Sequence, residues 1–397
     1  MKILLVSSRY APHVSGGAER VAQTLVETLA SLGHEPVVLT TQHGKEPLER
    51  TVGGVRVRAV PLRNVYDLSR KQRPRSLKPL WHVIDSWNPF MTRSVARIIQ
   101  EERPDVIHTN LVTGFSPSVW SVARDAGVPV VHIALDHYVI CARSGMAIDG
   151  VQCASQHASC ALLSVPRVRA ARTISAVIGP SEYVLRRHRQ YRAFDGIPSF
   201  VIPFPCDLTR GPDEEPAARC GRGGPLRIGI MGRVEENKGV RLLLDAAARL
   251  PSNGWNLRIA GWGDPAFVAA LQARYANPLL EFVGPVDPRS FLASLDLLVF
   301  PSLVPDTFGM SAAEALTMGV PVIASTRGAL PEMIEKGRNG FLFDPDEEGS
   351  LDRVLQQAVR DPAGVRRLAA ASIESAARFD PKSVTERYLD VYRSIRQ

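Results

Sequence analysis

Leu226-Arg227-Ile228-Gly229-Ile230-Met231-Gly232-Arg233-Val234-Glu235-Glu236-Asn237-Lys238-Gly239 is the stretch on which the reading of this sequence turns. Its first six residues, four of them large and apolar, have strand length and stop at a glycine. Leu242, Leu243, Ala246, Ala247 and Leu250 then recur with helical spacing. Strand, glycine loop and helix in that order make one unit of a parallel α/β sheet. The loop carries Arg233 and Lys238 towards a helix N-terminus, whose backbone N–H groups also favour an anion, so the segment suits a diphosphate. Gly-Arg and Lys-Gly pairs are common on surfaces, so this segment does not decide the function by itself.

The same rhythm continues in both directions. Downstream, strands are expected at Leu257–Ala260, Leu279–Val283, Leu297–Phe300, Val320–Ala324 and Gly340–Phe343. Upstream, Ile3–Val6 reads as a buried strand. After a loop ending in Gly16-Gly17, residues Ala18, Val21, Ala22, Leu25, Val26 and Leu29 repeat as a helix, with Gly33 placed as its C-terminal glycine. Further strands are expected at Pro36–Thr40, Val106–His108, Val128–Ile133, Ala176–Gly179 and Phe200–Ile202. The proline- and glycine-rich stretch from Leu208 to Pro225 reads as a linker. The expected division is residues 1–207, a linker at 208–225, a second domain at 226–380 and a terminal helix at 381–397 that packs back on the first domain. Two doubly wound α/β sheets follow, and ligands of such sheets bind beyond the carboxyl ends of the strands.

Composition excludes several classes. The 397 residues are 45% hydrophobic and 22% charged, without an apolar run of the roughly 20 residues that cross a bilayer. The N-terminal apolar run is too short for a secretory signal, so a cytoplasmic location is expected. The five cysteines lack paired C-x2-C spacing and read as thiols without a metal. The net charge of +8 is uneven: residues 1–207 carry 25 Lys and Arg against 16 Asp and Glu, residues 208–397 carry 23 against 24. Arg70-Lys71-Gln72-Arg73-Pro74-Arg75 and Arg186-Arg187-His188-Arg189 supply much of the excess. Such runs are solvated faces or attract anionic headgroups and pyrophosphates. No nucleic-acid reading module accompanies them.

The second chemical constellation follows the strand Leu297–Phe300. Asp306-Thr307-Phe308-Gly309 leads into a helix from about Met310 to Met318, ended by Gly319. Gly309 permits close backbone approach, the helix N-terminus presents amides to phosphate oxygens, and Glu314 can accept ribose hydroxyls. A carboxylate also suits the first turns of a helix electrostatically.

Taken together, these residues resemble glycosyltransferase family 4. Asp306-x7-Glu314 with Gly309, Glu314-Ala315-Leu316, Gly319 and Pro321-Val322-Ile323-Ala324 is similar to the family's E-x7-E signature, and Gly232-Arg233-x4-Lys238-Gly239 to its phosphate-binding pair. Ala260-Gly261-Trp262-Gly263, Gly328-Ala329-Leu330-Pro331-Glu332 and Asn339-Gly340-Phe341-Leu342 are similar to further landmarks. Pro12-His13-Val14-Ser15-Gly16-Gly17-Ala18-Glu19-Arg20 resembles the family's glycine loop.

The resemblance implies a GT-B fold of two Rossmann-like domains facing a central cleft, closing over the substrates. It also implies a retaining, hexosyltransferase-type reaction from a UDP-sugar or GDP-sugar, with no metal or other cofactor. The implied donor site comprises Gly16, Gly17, Arg233, Lys238, Thr307, Phe308, Gly309, Met310 and Glu314. The implied catalytic residues are Asp306, Asp136 and His137. The acceptor expected is a glycan or lipid-linked hydroxyl in polysaccharide, lipopolysaccharide or glycolipid assembly. Peripheral contact with an anionic inner membrane face is expected through the basic first domain, where Trp81, Trp87 and Phe90 stand among basic residues.

The sequence departs from the family twice. Asp306 replaces the first glutamate. With Pro129-Val130-Val131 and Cys141 in register with the family's P-V-V-x-T-x-H-D-Y-W-x-x-C, Leu135 stands at the histidine and Asp136 at the aspartate. His137 or His132 is left to act near the sugar, or His137 is an ordinary loop histidine. Two other readings stay open: a donor-binding subunit with weakened catalysis, and a nucleotide-sugar epimerase of the same fold.

Overall fold

The computed structural model of the protein describes residues 1–12, 16–66, 75–148, 150–208, 210 and 220–396. His13, Val14 and Ser15 of the glycine segment, the basic run from Arg70 to Pro74, and the linker at 209 and 211–219 lie outside the described residues. The chain forms two compact units. The first holds Met1–Met146, Cys153–Pro205 and Pro381–Gln397; the second holds Ala147–Gln152 and Cys206–Asp380.

In the first unit the strands are β1 (Lys2–Val6), β2 (Glu35–Gln42), β3 (Leu48–Val52), β4 (Val55–Pro61), β5 (Val106–Thr109) and β6 (Val130–Ile133). A two-stranded ribbon, β7 (Ala147–Ile148) and β8 (Val151–Gln152), precedes β9 (Ala176–Gly179) and β10 (Ser199–Val201). The eight-stranded sheet has the order β10-β9-β6-β5-β1-β2-β4-β3. Every neighbouring pair is parallel except β3 and β4. Ile3, Leu4, Leu5 and Val6 are all buried, because β1 lies mid-sheet and is covered on both faces.

The helix Gly17–Ser31 buries Val21, Ala22, Leu25, Val26 and Leu29, the stripe its spacing requires. It closes at Gly33, whose φ of +79° lets the N–H of His34 return to the carbonyl of Leu29. The β3–β4 hairpin was not anticipated. Its turn is Gly53-Gly54, with φ of +55° and +78°, the pair of positive values a tight two-residue hairpin needs. The terminal helix Pro381–Ser394 belongs to this unit, with Tyr388 stacked on His108 and the Tyr392 hydroxyl bonded to His108 Nδ1.

The second unit is a purely parallel sheet of β11 (Leu226–Met231), β12 (Trp255–Ala260), β13 (Leu280–Gly284), β14 (Leu297–Phe300), β15 (Val322–Ser325) and β16 (Gly340–Phe343). Its order is β13-β12-β11-β14-β15-β16. The chain therefore reverses its direction of winding between β11 and β14, the place where a doubly wound sheet opens a ligand crevice at the strands' carboxyl ends.

The opposite, amino ends of β11 and β14 are locked by charge. Asp296 is buried and accepts from Arg227 Nη2 at 2.8 Å and Arg366 Nη2 at 3.0 Å, with Arg222 at 3.8 Å. Burial pushes its carboxyl up, but the hydrogen bonds from Arg227 and Arg366 outweigh it and hold the group below the usual range. Removing the acid leaves clustered cations without their counter-charge. Asp296→Ala is expected to cost about 3–5 kcal/mol of stability, read as a lower urea midpoint at unchanged slope. Arg353→Ala, which breaks an exposed pair with Glu347, should stay within about 0.5 kcal/mol of wild type.

Candidate donor site

The carboxyl edge of the second sheet is built by loops that touch through glycines. The Gly232 N–H donates to the Ala260 carbonyl at 3.0 Å, and the Val234 N–H to the Trp262 carbonyl at 2.9 Å. A Cβ on Gly261 would lie 1.6 Å from the Gly232 oxygen, so only glycine permits the loops after β11 and β12 to meet. At the switch point, Gly239 (φ +72°) does the same: a Cβ there would lie 1.8 Å from the Pro301 carbonyl oxygen. The Leu303 N–H donates to the Asn237 carbonyl at 3.0 Å. The loop from β11 is thus pressed against the loop from β14.

That contact brings Lys238 to Asp306, with Nζ 3.0 Å from Oδ2. The other carboxylate oxygen, Oδ1, accepts the N–H groups of Phe308 at 3.2 Å and Gly309 at 3.0 Å. From above, Gly328 (φ +65°) lies flat on the Asp306 backbone, and the Ala329 N–H donates to the Asp306 carbonyl at 2.9 Å. Burial pushes the Asp306 carboxyl up, but the Lys238 charge and these hydrogen bonds prevail and hold it below the usual range. The group is an ionised carboxylate fixed in place.

Behind it the helix Met310–Thr317 begins at Gly309, whose φ of +92° sets the entry angle. Intrahelical bonds do not reach the N–H groups of Met310 and Ser311, so these are the donors left at the helix end for an anion. The Gly309 N–H, expected among them, is taken by Asp306. Glu314 is buried one turn inside the helix. Thr307 is half-buried, while the Phe308 ring packs edge-on against Phe379 and belongs to the core. Arg233 is exposed and pairs with Glu235 at 2.7 Å. Lys238, Asp306, the helix end and Glu314 thus share one edge of the second unit.

The first unit carries the remaining residues by itself. Gly16, in extended conformation, caps the helix that Gly17 begins. Asp136 Oδ1 accepts the Tyr138 N–H at 2.8 Å, and burial pushes the carboxyl up to about 6. His137 is buried, its ring stacked on His188 with centroids 5.8 Å apart. His132 is core: it bonds Thr109 at 3.0 Å and meets Trp120 edge-on, and burial lowers it to about 3.

A clamp that sequence reading missed holds this loop. Arg167 is fully buried, pairs with Asp85 at 3.2 Å, donates to the Tyr138 carbonyl at 2.7 Å and lies 4.0 Å over the Tyr138 ring. The Tyr138 hydroxyl donates to the Asp85 carbonyl at 2.8 Å. These three residues are far apart in the chain, and no local spacing announces them.

Comparison with known proteins agrees with this geometry. Residues 225–361 match the family model described as glycosyl transferases group 1, and residues 16–205 match the glycosyl transferase 4-like domain. The chain is 27% identical over 404 residues to an uncharacterized 42.6 kDa protein in the cps region of Klebsiella pneumoniae, spanning 99% of this chain and 100% of that one. It is 28% identical over 424 residues to a glycogen synthase of Mycobacterium tuberculosis, spanning 99% and 94%. A solved structure of Anabaena HepE in complex with UDP-glucose matches with a TM-score of 0.72 at 20% identity, over 99% of this chain and 100% of that one. The fold is therefore GT-B, two parallel-sheet α/β units. The chain belongs to the group 1 glycosyltransferases of family 4 and is a glycosyltransferase.

The raised Asp136 carboxyl has a measurable consequence. The folded chain holds this proton up to about pH 6, whereas the ordinary carboxyl value is 3.8. Wild-type stability is therefore expected to fall as pH rises through that window. Asp136→Asn, which cannot titrate there, should gain on the wild type by on the order of 1–3 kcal/mol between pH 4 and pH 7, read from paired denaturation curves.

Proposed function

We propose that the protein transfers a hexosyl group, with retention and without a metal ion, from a UDP-sugar or GDP-sugar to a hydroxyl of a glycan or lipid-linked acceptor in polysaccharide, lipopolysaccharide or glycolipid assembly. The observation that carries this reading is the Lys238–Asp306 pair, set at the β11–β14 switch point directly before the helix Met310–Thr317. It joins a cation, an ionised carboxylate and helix-end amides on one rigid edge. The cps-region relative and the UDP-glucose complex support the substrate classes.

In this reading the bond from the anomeric carbon to the diphosphate breaks, and its electron pair goes to the diphosphate oxygen. The acceptor oxygen bonds the anomeric carbon on the same face, and its proton passes to the departing diphosphate. Lys238, Arg233 and the Met310 and Ser311 amides stabilise the charge that grows on the leaving group, the usual main contribution in such sites. Glu314 takes the ribose hydroxyls, Thr307 lines the phosphate approach, and Asp306 faces the hydroxyls of the transferred sugar. Gly16 and Gly17 leave backbone room for the diphosphate, and Asp136 with His137 serves the acceptor side.

A thermal-shift screen of uridine, guanosine and adenosine diphosphate sugars tests the donor, since a ligand at about 100 times its Kd stabilises the folded state by about 2.7 kcal/mol. A shift with UDP- or GDP-sugars, lost in Glu314→Ala, is expected. Lys238→Ala should lower kcat by about 10²–10³-fold, the scale of losing one charge-stabilising group. Product anomeric configuration, followed by NMR in the presence of a chelator, decides retention and metal independence. Donor binding without transfer would favour the weakened subunit that Leu135 motivates.

A further inference from the structure

The helix Lys78–Ser86 in the first unit is amphipathic in an unusual sense. Its buried side holds Trp81 and Asp85, with the Trp81 indole N–H donating to the Tyr66 carbonyl at 3.1 Å. Its outer side, continued into the next helix, is a row of large apolar residues: Leu77, Leu80, Val83, Trp87 and Phe90 are between 36% and 59% exposed. The helix Ala158–Ala171 packs against it and exposes Leu162 (74%) and Val165. So many large apolar side chains on two adjoining helices form a patch that a soluble surface seldom leaves uncovered.

The charge around this patch has one sign. Lys78, Arg93, Arg169 and Arg172 are exposed, and Arg169 stands one turn beyond Val165 on its helix. The only acidic residue within residues 75–100 and 156–175 is Asp85, which is buried and paired with Arg167. Apolar side chains ringed by cations repel a second copy of the same face and suit a surface that is greasy within and anionic at its rim. Aromatic side chains such as Trp87 are stable at that boundary. Among the described residues no helix is long and apolar enough to cross a membrane, so the fit is to the bilayer surface.

We propose that the outer face of the helices Lys78–Ser86 and Ala158–Ala171, with Phe90 and Arg93, docks on an anionic lipid bilayer. Leu80, Val83, Trp87, Phe90 and Leu162 enter the headgroup–acyl boundary, while Lys78, Arg93, Arg169 and Arg172 meet lipid phosphates. This deepens the reading of a lipid-linked acceptor, and rests on it only for the use made of the contact. Trp81, which sequence reading grouped with the surface aromatics, is a core residue and takes no part.

The test is co-sedimentation of the full chain with vesicles of phosphatidylcholine alone and of equal parts phosphatidylcholine and phosphatidylglycerol. Binding to the anionic vesicles is expected, weakened by 1 M salt, which cuts the Debye length to about 3 Å. Each cation near such a surface strengthens binding roughly fivefold. The variant Arg93→Ala/Arg169→Ala should therefore lose about 25-fold, and Leu80→Glu/Val83→Glu/Phe90→Glu at least as much. Trp87 fluorescence should shift to the blue on binding, in a difference against Trp87→Phe. These positions are exposed, and unchanged melting curves verify that the variants fold. No binding by wild type to anionic vesicles, or binding untouched by both variants, overturns the proposal. So does a change of oligomeric state on substitution, which would make the patch an interface between copies. A UDP thermal shift on wild type and variants keeps the two readings apart: wild type that binds nucleotide but no anionic vesicles sinks the docking surface alone, whereas variants that lose vesicles and keep nucleotide binding are the expected result.

Discussion

The Lys238–Asp306 ion pair is the contact on which the site in the second unit depends. It forms because the loops after β11 and β15 both press their backbones on the loop after β14, which they can do because Gly239 and Gly328 have no side chain to keep them apart. The geometry then supports itself. Asp306 draws in the N–H groups of Phe308 and Gly309, which sets the entry of the next helix. That entry directs the helix end with Met310 and Ser311, and fixes the rotation that buries Glu314. A carboxylate held at both oxygens in turn fixes the Lys238 ammonium and the helix entry, so the cation and the free amides are preorganised on this edge.

The shorter acid matters in this setting. Asp306 stands where the family carries glutamate, and it spends one oxygen on two backbone donors and the other on Lys238. Its side chain is bound into the loop at both oxygens, with little freedom to reach outward. The first unit shows a parallel economy. Asp136 occupies a loop held by Arg167, Asp85 and Tyr138, and burial leaves its proton on up to about pH 6. His137 is buried in the same loop, its ring packed on His188.

Much of the fold was legible. The parallel strands announced themselves as apolar runs between helical repeats, because a strand covered on both faces needs continuous hydrophobicity. The β3–β4 hairpin was missed although Thr51-Val52-Gly53-Gly54-Val55-Arg56-Val57 has a hairpin's glycine turn and alternating pattern. The donor motifs were legible because each is local: a glycine, a cation and a helix start within a few residues. Their placement was less so. Phe308 reads as a site residue but packs on Phe379, and the Gly309 N–H, read as a phosphate donor, serves Asp306.

By itself, the sequence determined the strand–helix alternation, the loops that carry Arg233, Lys238, Asp306 and Glu314, and the excess of cations in residues 1–207. These follow from periodicity, glycine placement and charge, all properties of neighbours along the chain. Only the tertiary structure decided which groups meet. Lys238 finds Asp306 across 68 positions, Arg167 finds Asp85 across 82, and Asp296 is reached by Arg222 and Arg227 from one segment and Arg366 from another. It also decided that Trp81 is buried while Leu80 and Val83 face outward. Burial and long-range pairing depend on how elements pack, and packing is settled by the whole chain at once.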